Sequence, residues 1–250
     1  MKIKKQLSDF KDSLKINLDF LQLLLYDLLF YAIAIPSAII FGKLILNQTK
    51  NIDINALNQG LLAQEAAAKA QEIAANTGSL LALFFIGLFI ILIITLAAWA
   101  LSRGLIYNKL LNKKLTKAFF FKFMAMNIFF GFVLAMLFIF LGNLVTVSKI
   151  FIIPFYASFF VCSYFITLTY IFFTKKVKVF EALGDSLSKG VAIFPKIWLP
   201  CLLILIMFMV LGAVNQIATR LGAQQFIYIL TLALYTCWAR IYFVRAVEKL

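Results

Sequence analysis

The chain has 250 residues, of which 64% are hydrophobic, with 24 Lys and Arg against 10 Asp and Glu and no His. The apolar excess is gathered into long runs, which places the chain in the membrane class. The missing His removes His-dependent general-base, metal-ligand and haem chemistry.

The net charge of +14 would raise nucleic acid as a partner for a soluble protein. Here Lys and Arg cluster in the short loops between apolar runs. That is how cytoplasmic loops lie against anionic headgroups, so membrane lipids are the expected partners and nucleic acid is not. Cys162, Cys201 and Cys237 stand singly, with neither CxxC pairs nor ligand spacing. They read as small apolar packing residues, and no metal, disulfide or cofactor is expected.

Residues 1–19 are basic and periodic: Ile3, Leu7, Phe10, Leu14 and Leu18 recur every three or four residues, with lysines on other faces. The pattern predicts a cytoplasmic amphipathic helix lying in the interface plane. No cleavable leader pattern precedes the first apolar run, which is read as a retained span.

Residues 20–250 are read as one six-span membrane domain. Span one covers about 20–46. It carries Ala34, Ala38 and Gly42 at four-residue spacing, a small-residue face that another helix can approach closely. Pro36 is expected to kink it. The segment 47–79 is the longest non-apolar loop, and its AQEAAAKAQEIAA core predicts a short surface helix.

Span two covers 80–101. Arg103 to Lys122 then carries six basic residues and no acid. Residues 127–173 hold one charge, Lys149, and are too long for a single crossing, so they divide into spans at 127–147 and 150–173. Spans five and six cover 197–217 and 226–244. With this division, 19 of the 24 Lys and Arg fall on one side, which places both termini in the cytoplasm. The expected fold is therefore an all-α polytopic helical bundle in the cell membrane.

Asp27 is the first candidate for chemistry. An ionisable group inside hydrocarbon is costly and marks a functional position by default. Arg240 and Arg103 lie at comparable depth, so Asp27 is either the acid of a structural ion pair or an ion-coupling group, with the pair the simpler account. Two polar stripes follow at helical spacing: Tyr156, Ser163, Thr167, Tyr170 and Thr174 in span four, and Tyr228, Thr231, Tyr235, Trp238 and Tyr242 in span six. They serve either as interhelical hydrogen bonds or as the lining of a cavity for a small or amphiphilic ligand. Glu181 and Asp185 stand one turn apart and are compatible with a divalent cation, but an Asp185–Lys189 pair accounts for them more simply. No phosphate-cradling loop, nucleophile elbow or paired intramembrane carboxylate occurs, so no catalytic residue is assigned and no enzyme is expected.

From Val179 onward, Phe180, Leu183, Leu187, Val191 and Phe194 form one apolar helical face. Pro195 and Pro200 bracket the entry to span five, predicting an interfacial helix that turns through proline into the span. The run Phe180-Glu181-Ala182-Leu183, Ser186 and Lys189-Gly190 ahead of a span resembles a pattern in a loose group of six-span membrane proteins. That group includes the membrane domain attached to some glycerophosphodiester phosphodiesterases. The resemblance implies a membrane module without the catalytic domain, and it carries over no catalytic residue. The expected role is lipid organisation or binding of a membrane partner, including a second copy. The alternative is a small-molecule transporter or the membrane subunit of an uptake system.

Overall fold

The computed structural model describes residues 8, 10–14, 18–49, 63–220 and 224–250; side chains are described for these except at 63–70, 72, 147, 217–220 and 224–229. Among the described residues every long element is a helix: α1 Leu18–Thr49, α2 Ala63–Leu110, α3 Lys117–Val147, α4 Ile152–Lys176, α5 Val179–Arg220 and α6 Gln224–Glu248, with a 3-10 turn at Lys149–Phe151 between α3 and α4. Five stretches are long and apolar enough to cross a membrane: Leu18–Thr49, Ile73–Leu110, Lys117–Thr146, Lys149–Lys176 and Val179–Gln216. Their outer surfaces are hydrocarbon. Phe85, Phe89, Phe132, Phe140, Ile153 and Met209 are each at least 62% exposed, a density of bare apolar side chains that water would not tolerate.

The helices are longer than the apolar runs. The strong helix formers of the 63–75 region make no separate surface helix; they extend α2 to 48 residues. The one glycine in the way, Gly78, costs a helix only about 1 kcal/mol against alanine. On the far side α2 continues past Arg103 to Leu110, leaving six residues, 111–116, to reach α3.

The prolines do not interrupt the helices. Pro36 stands within α1, and Pro195 and Pro200 within α5, without ending either helix. Each proline removes one backbone hydrogen bond and costs roughly 3 kcal/mol in a helix interior. Around the α5 prolines that loss is offset by packing, since Ile197, Pro200 and Cys201 are all buried. The expected proline turn is therefore absent, and the amphipathic segment and the span form one continuous helix.

Caps are built where the chain turns. α2 ends in a Schellman motif: Lys113 N–H donates to the Asn108 carbonyl at 2.8 Å, and Asn112 N–H to the Lys109 carbonyl at 3.3 Å. Asn112 takes the left-handed conformation this requires, with φ 52°. α3 starts at Thr116, whose hydroxyl accepts from Phe119 N–H at 3.2 Å. α4 and α5 join through Val177 and Lys178 alone, with Val177 at φ 55°.

The chain forms two compact units, residues 1–28 with 100–250, and residues 29–99. In the smaller unit, Phe30 packs edge-on against Trp99 at 5.2 Å, and Phe41 meets Phe84 at 6.1 Å. The Phe41 ring lies against Gly87, where a Cβ would collide with it. The larger unit is centred on aromatics. Phe119 stacks on Phe123 at 5.4 Å, Phe123 meets Tyr170 at 4.9 Å, and Phe119 meets Phe173 at 5.1 Å. Such pairs add about 0.5–1.5 kcal/mol each beyond their buried area.

The α4–α5 contact uses the face of α5 opposite its large apolar side chains. Phe180, Leu187, Val191 and Phe194 point outward, with Phe180 88% exposed. The buried face carries Ala182, Ser186 and Gly190. Ser186 accepts from the Thr169 hydroxyl at 2.8 Å, and the Gly190 carbonyl accepts from the Tyr164 hydroxyl at 2.8 Å. A Cβ on Gly190 would stand 2.8 Å from the Phe165 ring and 3.0 Å from Leu168. Small residues at four-residue spacing let two backbones approach, and lipid gives the large apolar face no reason to turn inward.

Candidate functional site

Three ionisable residues from three helices meet inside the larger unit. Asp27 comes from the first third of α1, Arg103 from the end of α2 and Arg240 from the last third of α6. Asp27 is fully buried, Arg103 is 3% exposed and the Arg240 side chain 14%. Arg240 Nη1 donates to both Asp27 carboxylate oxygens, at 2.8 Å and 2.7 Å. Arg103 Nη1 donates to the same Oδ1 that Arg240 uses. One carboxylate thus serves two guanidiniums. Asp27 is the single acid within the six apolar runs, so the cluster carries a net charge of about +1 in a low-dielectric setting.

A buried polar and aromatic network continues from the same end of α2. Tyr107, one turn beyond Arg103 on α2, is buried and packs on Tyr170 at 5.3 Å. Tyr170 donates its hydroxyl to Asn127 Oδ1, and Asn127 returns its amide to the Phe123 carbonyl at 2.7 Å. The pattern of Tyr170, Asn127 and Tyr107 joins α2, α3 and α4.

The polar stripe of span four divides between roles. Tyr156 is 68% exposed and faces away from the unit. Tyr170 is tied to Asn127, and Thr174 donates to the Tyr170 carbonyl at 2.7 Å. Ser163 and Thr167 reach a cavity of about 130 Å³ between α4, α5 and α6. Arg240 and Ala239 border the same cavity, with Tyr164, Ile204 and Phe243 among its apolar walls. The cavity is open rather than sealed.

The span-six stripe is occupied by interhelical bonds. Thr231 donates to Asn215 Oδ1 at 3.2 Å and Tyr235 to the Ile204 carbonyl at 3.0 Å, both on α5. Trp238 Nε1 donates to Ser13 at 3.0 Å. The side chain of Tyr228 lies outside the described residues. Tyr242 stacks on Trp238 at 5.7 Å, and Phe10 meets both rings edge-on at 5.7 Å. Phe10 and Ser13 of the N-terminal segment therefore pack on α6, while residues 1–7, 9 and 15–17 lie outside the described residues.

The small face of α1 is open in this chain: Ala38 is exposed, Ala34 is half-buried, and a Cβ on Gly42 would meet nothing within 4 Å. Asp185 bonds Lys176 at 2.6 Å and Lys189 at 3.0 Å, and Glu181 bonds Lys178 at 2.6 Å. Among the described residues no group of three metal-ligating side chains converges.

Sequence reasoning missed Ser13 and Asn127, and it names Ser186 and Gly190 in the resemblance without their packing role. Those two carry a readable signal, since Ala182, Ser186 and Gly190 repeat the four-residue spacing of small residues found in span one. Asn127 carried a weaker one, as a lone amide at the start of an apolar run. No family model, no curated protein and no solved structure matches this chain.

Proposed function

We propose that this chain is a non-enzymatic, multi-pass module of the cell membrane that crosses the bilayer six times, keeps both termini in the cytoplasm, and acts on lipid organisation or a membrane partner. The observation that carries the reading is the Asp27–Arg103–Arg240 cluster. Asp27, Arg103 and Arg240 bond one another inside the larger unit, with Arg240 2.7 Å from Asp27, which is how structural charge is held in lipid. α6 supports the sixth crossing: its 25 residues span roughly 37 Å at 1.5 Å per residue, longer than a hydrocarbon core. The basic bias of one set of loops supports the orientation. The resemblance of the Phe180–Gly190 stretch to a membrane domain that accompanies, without containing, a catalytic domain points the same way.

A second reading, a small-molecule transporter or uptake subunit, is favoured by the cavity between α4, α5 and α6. Native mass spectrometry after gentle detergent extraction separates the two. A module retains lipids or a protein partner at defined stoichiometry, whereas a transporter retains a soluble metabolite that exchanges with added ligand. Single-cysteine labelling from either side of the membrane tests the topology separately: sites in 111–116 and 177–178 are expected to label from the cytoplasm, and labelling of the two loops from opposite sides would refute six spans.

A further inference from the structure

We infer that the α4–α5–α6 cavity is a binding site for an anionic amphiphile whose charged head meets Arg240 and whose chain lies along the apolar walls. The inference deepens the proposed lipid-directed role and takes its membrane depth from that reading.

Three observations converge on this site. The first is charge. Two guanidiniums share the Asp27 carboxylate, and Asp27 is the only acid in the apolar runs. A net positive charge at this depth favours entry of an anion, and low dielectric strengthens that attraction relative to water. The second is access. Arg240 gives both of its Asp27 bonds from Nη1 and is one of the residues that line the cavity. Arg guanidinium is planar and multiply donating, so it can bond one carboxylate and still present donors to another oxyanion. Thr167 donates its hydroxyl hydrogen to the Ser163 carbonyl at 2.7 Å, which fixes the Thr167 oxygen at the wall, while the Ser163 hydroxyl at the rim is free to rotate toward a head group.

The third observation is shape and polarity. The cavity holds about 130 Å³ and is open rather than sealed, so a compact carboxylate or phosphate head can enter while its chain extends out. Its walls are otherwise apolar, with Tyr164, Ile204 and Phe243 prominent, which suits a chain better than a hydrated ion. In the proposed orientation Arg240 lies about four residues, roughly 6 Å, inside the cytoplasmic end of the sixth span read from the sequence, 226–244. That is the depth at which the head of an inner-leaflet lipid enters the hydrocarbon boundary. Long-chain carboxylates and phosphate esters share the required chemistry of a compact anionic head on an acyl chain.

The test uses the full-length protein purified in a neutral maltoside detergent. Dodecanoate, dodecyl phosphate and uncharged dodecanol are added at equal concentration, and thermal unfolding and native-mass adducts are read together. The expected result is one retained anionic amphiphile per chain and a rise in Tm of several degrees, with dodecanol about tenfold or more weaker because it lacks the charge-assisted bond. A preference for dodecanoate or dodecyl phosphate assigns the head as carboxylate or phosphate. Ser163→Leu, a substitution at an exposed position on the rim, is expected to abolish the shift while leaving the ligand-free Tm unchanged. Ala239→Val blocks the same space from α6 and serves if Ser163→Leu fails to fold. Equal stabilisation by dodecanol, or an unchanged shift in a folded blocking variant, would overturn the proposal. Neither result alters the cysteine-labelling pattern, so failure here is distinguishable from failure of the six-span reading.

Discussion

Arg240 reaches across 213 positions of the chain to place one nitrogen 2.8 Å and 2.7 Å from the two oxygens of Asp27. The bond ties the last helix to the first, and Arg103 ties the second to the same atom. Removing one partner of a buried ion pair is far costlier than replacing the whole group by apolar side chains.

Asp27→Asn is therefore expected to cost about 3–5 kcal/mol, the usual price of stranding a buried charge, and to reduce folded protein in membranes severalfold. The charge-free combination Asp27→Leu, Arg103→Leu, Arg240→Met is expected to recover most of that loss. Quantitative blotting of membrane fractions with detergent thermal-shift measurements checks both. A triple variant no better than Asp27→Asn would mean that the cluster does more than hold helices together.

Gly190 lets α4 and α5 approach closely because it has no side chain. Gly190→Ala places a Cβ 2.8 Å from the Phe165 ring, so the ring or the helix must shift. Overpacking of this kind costs roughly 1–3 kcal/mol. Gly184 lies on the same helix with nothing within 4 Å of its Cβ position, and Gly184→Ala is expected to be neutral or slightly stabilising. Comparing the Tm of the two variants in one detergent makes the measurement internally controlled.

Asn112 is exposed and holds φ 52° at the end of α2. Only residues without a bulky Cβ adopt this region cheaply, and Asn is favoured among the rest. Asn112→Ala is expected to lose about 1 kcal/mol, whereas Asn112→Gly should be within a few tenths of the parent. Thermal unfolding of the pair resolves the difference, and an Ala variant as stable as the Gly variant would contradict the left-handed cap.

Trp238 and Ser13 join the N-terminal segment to α6 through one hydrogen bond of 3.0 Å. A double-mutant cycle of Ser13→Ala and Trp238→Phe is expected to show a coupling of about 1 kcal/mol. Limited proteolysis gives an independent check, since each single variant should expose the segment before Leu18 to faster cleavage. Additive effects and unchanged cleavage would place the segment on the lipid surface instead.

Much of the helical plan was legible in the chain, because hydropathy is a local, additive property. The apolar runs and the lone Lys149 within 127–173 already separate α3 from α4, and the 3-10 turn falls at that lysine. Helix ends were less legible. α2 extends ahead of its apolar run, over 63–79, through strong helix formers, and α5 passes through two prolines because buried neighbours offset their cost.

For the candidate site, sequence alone singled out Asp27, Arg103 and Arg240 as charges at one depth, since position along an apolar run converts directly to height. It could not set the rotation of each helix. The tertiary structure decided that both arginines share one carboxylate, that Ser163 and Thr167 turn to the cavity while Tyr156 turns away, and that Ala182, Ser186 and Gly190 rather than Leu187 and Val191 form the buried face of α5. The physical reason is the solvent: in hydrocarbon, large apolar side chains gain little by facing inward. Close approach of small residues and bonding of polar ones therefore select the interface, and both depend on which helix stands opposite.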